Sequence, residues 1–122
     1  MKKYLILLIF SIALSGCHEK LTHIDLYVLG TCGACLAAKS FLNEYTSTHQ
    51  NAYLTVYDLD ESSSLKKYQT VMKKIHYKKQ VTPVIVMRGH FVKIGYNFND
   101  QKDLEKAFSG QTITKKTYYS LT

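Results

Sequence analysis

The sequence predicts an α/β domain whose elements follow the order strand, helix, strand, helix, strand, strand, helix. Three observations predict it. Two compact runs rich in β-branched and aromatic residues, at 24–29 and 53–59, each lead into a stretch whose apolar residues recur at helical spacing. The only proline, Pro83, opens a third apolar run rather than interrupting it. Arg88-Gly89 then separates that run from Phe91–Ile94 at hairpin distance, ahead of a last helical pattern.

The chain of 122 residues opens with Lys2 and Lys3, an apolar run over 4–14, and small residues at Ser15 and Gly16. That is the layout of an export signal. The run is shorter than the roughly 20 residues a membrane-spanning helix needs, so it reads as a leader and not as a permanent span. Residues 17–23, with Glu19, Lys20 and Thr22, are polar and read as a short tether. The first strand, 24–29, places Ile24, Leu26 and Val28 on one face and contains a single charge, Asp25. It ends at Gly30-Thr31, and Cys32-Gly33-Ala34-Cys35 follows at once.

From Ala34 the apolar residues Ala37, Phe41 and Tyr45, with Ala38 and Leu42 beside them, predict a helix, so the cysteine pair stands at its N-terminal end. The second strand, 53–59, stops at Asp58, Asp60 and the serines 62–64, where a second helix begins. Its apolar residues Leu65, Tyr68, Met72 and Ile75 keep one face. Lys66, Lys67, Lys73 and Lys74 fall mostly on the other, which explains them as a solvated helix surface. Pro83 sets the start of the third strand, and Gly89 supplies the unusual backbone angle of a tight hairpin. Asn99 or Asp100 caps a last helix carrying Leu104, Ala107 and Phe108, which Gly110 stops. The first two strands, joined by a helix, are expected to be parallel with a right-handed crossover, and the last two antiparallel. The domain runs over 24–110. The tail, 111–122, is either an extra edge strand or disordered.

Leu14-Ser15-Gly16-Cys17 resembles the lipobox of bacterial lipoproteins, a branched apolar residue and two small ones before a cysteine. The resemblance implies a signal peptide over 1–16 and Cys17 as the lipidated first residue of the mature chain. Acylation at about 0.8 kcal/mol per buried methylene would hold such a chain on a membrane essentially permanently. Of three cysteines this leaves one even pair, as an exported protein favours. In a Gram-negative host, His18 resembles outer-membrane sorting, because the usual retention residue there is Asp; the chain is then expected on the periplasmic side of that membrane.

Removing residues 1–16 from the 122 leaves 106, enough for one modest core. The formal charge of +7 falls to +5 with Lys2 and Lys3. Lys66, Lys67, Lys73, Lys74, Lys78 and Lys79 concentrate much of it in a stretch without an acid, which could also face anionic lipid or an acidic partner. Nucleic acid is not an expected partner for a chain tethered outside the cytoplasm.

Cys32-x-x-Cys35 at the first strand-to-helix junction, Thr82-Pro83 opening the third strand, the hairpin and the closing helix together resemble the thioredoxin superfamily in a short, glutaredoxin-like form. The likeness spans roughly 24–109. It implies a four-stranded mixed sheet with helices on both faces, a redox-active Cys32–Cys35 disulfide, and a cis peptide at Pro83 that exposes the backbone of Thr82 to a substrate strand. Helix geometry supports the chemistry independently. Unpaired amides and the dipole at a helix N-terminus favour a thiolate, bringing such a thiol to a pKa of roughly 3.5–7.5. Cys32 at the helix mouth is the expected nucleophile, and Cys35, one turn inside, the expected resolving thiol.

This chain departs from the family pattern at several places. Thr31 stands where thioredoxins usually have Trp and glutaredoxins often Tyr. Leu26 takes the place of a buried acid six residues before the first cysteine, and Gly95-Tyr96-Asn97 is only faintly similar to the glutathione-holding Gly-Gly segment of glutaredoxins.

Two other classes compete. His18 and His23 have zinc-site spacing with the cysteine pair, and a dithiol can handle copper, yet both histidines precede the first strand while the cysteines follow it. A purely structural disulfide in an assembly lipoprotein is the third class, but one closing a two-residue gap removes little chain entropy. His49, His76 and His90 read as surface or loop residues. The expectation is therefore a lipid-anchored thiol–disulfide oxidoreductase of the bacterial cell envelope, in either the oxidising or the reducing direction. Its partners would be exported proteins with thiols or disulfides and a membrane electron-transfer partner. A monomer without cofactor or metal is expected, since 106 residues leave no room for an added dimerisation domain.

Overall fold

The computed structural model describes residues 21–121, so Cys17, His18 and the leader lie outside the described residues. β1 (Thr22–Val28), α1 (Gly33–Thr48), β2 (Ala52–Asp58), α2 (Ser62–Lys74), β3 (Val84–Met87), β4 (Phe91–Ile94), α3 (Gln101–Phe108) and β5 (Tyr118–Ser120) follow in order. The sheet runs β2-β1-β3-β4-β5. β1 and β2 are parallel, with Ile24 opposite Leu54. The β1–β3, β3–β4 and β4–β5 pairs are antiparallel.

The seven expected elements are present, and the sheet has five strands where four were expected. The extra strand comes from the tail, whose two readings resolve to the edge strand. Three residues flanked by Lys116 and Thr117 are too few to show a period, but Tyr118 and Tyr119 alternate between the two faces of the sheet. β1 starts at Thr22, inside the stretch read as tether. Thr22 N donates to Asn51 O at 2.8 Å, and the His23 ring stacks on Tyr53 across the parallel pair. Polar residues at a strand end carry no hydrophobic period. Leu29 falls just past β1, where its carbonyl accepts from Cys32 N.

Each face of the sheet has its own core. On one, Ile24, Leu26, Ile85 and Met87 pack against Ala38, Phe41 and Leu42 of α1 and Leu104 and Phe108 of α3. On the other, Tyr27, Val84, Val86, Val92 and Ile94 pack against Tyr68 and Met72 of α2. Leu26, Leu42 and Leu104 are wholly buried, each stabilising the fold by roughly 1.5–3 kcal/mol. The inward stripe of α1 is Cys35, Ala38, Phe41 and Leu42, while Ala34 and Ala37 are exposed. The helix is turned slightly from the expected face, so that Cys35 reaches the core. The entry to α3 also differs. Asn97 caps a 3-10 turn at Phe98–Asp100, its side chain accepting from Asn99 N and its own N–H donating to Asp100 Oδ2 at 2.8 Å.

Tyr27 gives the fold a pH limit. Burial, and then the charge of Asp25, push its pKa from 10.0 up to about 12. Below pH 10 the phenol is neutral in folded and unfolded chains alike. Between 10 and about 12 only the unfolded chain ionises, so stability is lost as pH rises through that window. Urea unfolding at increasing pH should show this decline, and Tyr27→Phe should make it shallower. An unchanged slope in the variant would assign the decline to other groups.

Candidate functional site

The site is assembled where β1 hands over to α1. Cys32 has extended backbone (φ −92°, ψ 112°) and serves as N-cap, its Sγ accepting from Cys35 N at 3.1 Å. Sulfur here takes the part that a serine or threonine oxygen plays at other helix starts. The first turn contains no acidic residue, so nothing in it opposes the positive end of the helix. A Cβ added at Gly33 would meet nothing within 4 Å, so this position between the cysteines faces open space.

Cys32 and Cys35 form a disulfide with their Cα atoms 5.1 Å apart. Their environments differ. Cys35 is 3% exposed and belongs to the buried face of α1, whereas Cys32 is half-buried. An incoming group therefore meets Cys32 first. The third component is the Thr82-Pro83 segment, whose peptide bond is cis. The Thr82 carbonyl oxygen lies 3.8 Å from Cys32 Sγ, and Pro83 is fully buried behind it. Cys32, Cys35, Thr82 and Pro83 thus lie together at one end of the sheet.

A chain of hydrogen bonds fixes the segment from behind. Pro83 O accepts from Gly95 N at 2.8 Å, and Gly95 has φ +74°, a conformation natural to glycine. Lys93 Nζ donates to the carbonyls of Ile94 and Gly95 at 2.9 and 3.1 Å. It also lies 3.3 Å from Asp100 Oδ2 and over the Tyr118 ring. Lys93 is only 2% exposed. Burial lowers its pKa, and the Asp100 charge and hydrogen bond act against that lowering. Asp100 in turn holds the 3-10 turn that presents Phe98, 78% exposed, across a shallow groove from Ala34 and Ala37. Leu36, next to Cys35, is also largely exposed.

A second buried charge braces the central strands. Asp25 accepts two hydrogen bonds from Arg88, at 2.8 Å from Nε and 2.9 Å from Nη2. Those bonds and the Asp25 charge hold the guanidinium pKa above its ordinary value. The sequence reading passed over Lys93 and the Asp25–Arg88 pair. The available signal was a lone charge inside an otherwise apolar strand, present in both β1 and β4. Nothing in sequence marked Phe98 or Leu36. His23 sits at the far end of β1 from the cysteines, stacked on Tyr53.

No family model matches the chain, and no curated protein matches it. Among solved structures it is similar to a glutaredoxin from Archaeoglobus fulgidus, at 21% identity over 79% of this chain and 100% of that one, with a TM-score of 0.52. At that identity the likeness shows the fold. The chain has a thioredoxin-like fold in its glutaredoxin-like form, with a disulfide-bonded CxxC at the strand-to-helix junction.

Proposed function

We propose that this protein is a thiol–disulfide oxidoreductase of the bacterial cell envelope, tethered through lipid on Cys17 and acting on exported proteins. One observation carries the reading. An accessible sulfur, Cys32 Sγ, is held at a helix N-terminus by the Cys35 amide and beside the Thr82 carbonyl, with its partner sulfur buried directly beneath. When the pair is reduced, the same amide and the helix dipole favour the Cys32 thiolate.

In the reducing direction, the Cys32 thiolate attacks one sulfur of a partner disulfide. The S–S bond of the partner breaks and its second sulfur leaves as a thiolate. Cys35, deprotonated, then attacks Cys32 Sγ in the mixed disulfide and releases the first partner sulfur. Two electrons pass from the cysteine pair to the partner, whose two sulfurs take up the protons that Cys32 and Cys35 gave up. Oxidation of a partner dithiol is the same sequence reversed. Thr82, with its backbone beside Cys32, is suited to align an extended partner chain. Which direction operates depends on whether a membrane electron donor keeps the pair reduced.

The tether is short. Four residues, 18–21, separate Cys17 from Thr22 at the start of β1, and the five steps between them reach at most about 18 Å. An acylated Cys17 would keep the domain close to the bilayer surface. The test separates anchor from chemistry in one preparation. The unmutated protein is expected in the membrane fraction, with an acylated N-terminal cysteine by mass spectrometry and with thiol-driven reduction of a small neutral disulfide. Cys17→Ser should release the chain and keep the reduction. A mature N-terminus beyond Cys17 would remove the anchor, and a membrane-bound protein unable to reduce the disulfide would remove the enzyme.

A further inference from the structure

A groove lies along α2. Its helix wall is formed by positions three and four apart, from Leu65 and Tyr68 to Met72 and Lys73, and its other wall by residues 76–80 returning towards Thr82. Tyr68 ties the walls together, its hydroxyl accepting from Val81 N at 2.9 Å and donating to Val81 O at 2.8 Å. The floor is apolar, with half-buried Leu65 and Tyr77 above Tyr68 and Met72. The rim is cationic. Lys73, Lys78 and Lys79 are exposed, and among the described residues none of them pairs with a carboxylate. Lys66, Lys67 and Lys74 do not line the groove, so the solvated-surface explanation suits them and leaves the rim unexplained. Three like charges around one concavity repel one another and focus a positive potential, and an anionic occupant relieves both.

We propose that this groove binds an acidic segment of the partner protein whose disulfide Cys32 exchanges, an inference that rests on the redox reading above. Position supports it. Lys79 precedes Thr82 by three residues, at most about 11 Å of chain, and the Thr82 carbonyl is 3.8 Å from Cys32 Sγ. A partner strand aligned on Thr82 would bring residues roughly three to five positions from its reactive cysteine over the rim. The occupant is a peptide and not a lipid surface for a physical reason. Membrane-seeking faces carry large apolar side chains ready to insert. The exposed ones here, Leu21, Leu36, Tyr53, Val56 and Phe98, are none of them groove residues.

The experiment uses the full chain in neutral detergent. A fluorescent peptide with Glu flanks, carrying Ser in place of its cysteine, is titrated at low salt. Lys73→Glu/Lys78→Glu/Lys79→Glu should weaken binding by about 10- to 100-fold, and the corresponding Gln triple by less. Lys66→Glu/Lys102→Glu/Lys106→Glu, with the same net charge, should leave binding within about twofold. Disulfide peptides with acidic and neutral flanks are then compared for exchange. The unmutated protein should favour the acidic one, and the rim triple should lose that preference. Equal weakening in both Glu triples overturns the proposal, as does absence of peptide binding alongside lysine-dependent capture by phosphatidylglycerol-doped micelles. Exchange without any acidic preference or peptide binding overturns the groove and leaves the redox reading standing. Rim-dependent binding of the Ser peptide with no exchange on either disulfide peptide supports the groove and overturns the redox reading.

Discussion

Replacing Cys35 by Ala is expected to trap partner proteins as mixed disulfides on Cys32, while replacing Cys32 by Ala traps almost none and reduces exchange to the uncatalysed level. The asymmetry follows from burial. Cys32 is half-buried at the helix mouth and Cys35 is 3% exposed, so only Cys32 meets a partner sulfur. Without Cys35 nothing inside the protein resolves the intermediate. Non-reducing gels of both variants after alkylation read the result directly. A metal clip or passive staple predicts symmetry, with either replacement destroying the site and neither accumulating conjugates. Equal trapping by the two variants would remove the assigned roles.

The largest effect expected on stability comes from Arg88→Met. The Asp25 side chain is 9% exposed and that of Arg88 49%. Loss of the guanidinium leaves a carboxylate buried between β1 and the β3–β4 hairpin without its bidentate partner. Breaking a fully buried pair costs about 3–5 kcal/mol, and the exposure of Arg88 to screening water reduces this to about 2–3 kcal/mol. Adding Asp25→Leu removes the orphaned charge and should restore most of the loss. Urea unfolding of the two single variants and the double variant closes the cycle. A single Arg88→Met variant as stable as the unmutated chain would show that the pair does not brace the sheet.

What the sequence disclosed follows from how far each signal extends along the chain. Cys32 at a helix start was readable because the preceding strand, Gly30-Thr31 and the apolar spacing from Ala34 all lie within a few turns of it. Pro83 was readable because a proline beside an apolar run is tolerated at the head of a strand and seldom inside it. β5 was left open because its three residues gain their strand conformation only by pairing with β4. Lys93 went unread because its burial depends on Asp100 and Tyr118, which reach it from separate elements. The lysines divided in the same manner. Periodicity along α2 accounts for those on its outer face, but the groove needs residues 76–80 to fold back beside the helix.

The central claim, that Cys32–Cys35 opens and closes in use, is tested most directly by its reduction potential. The protein is equilibrated in thiol–disulfide buffers and the open pair is counted by alkylation. An accessible thiolate favoured at a helix N-terminus predicts a reversible two-electron midpoint in the range of exchange proteins, about −120 to −270 mV. A midpoint well below about −300 mV, where structural disulfides lie, would contradict the account.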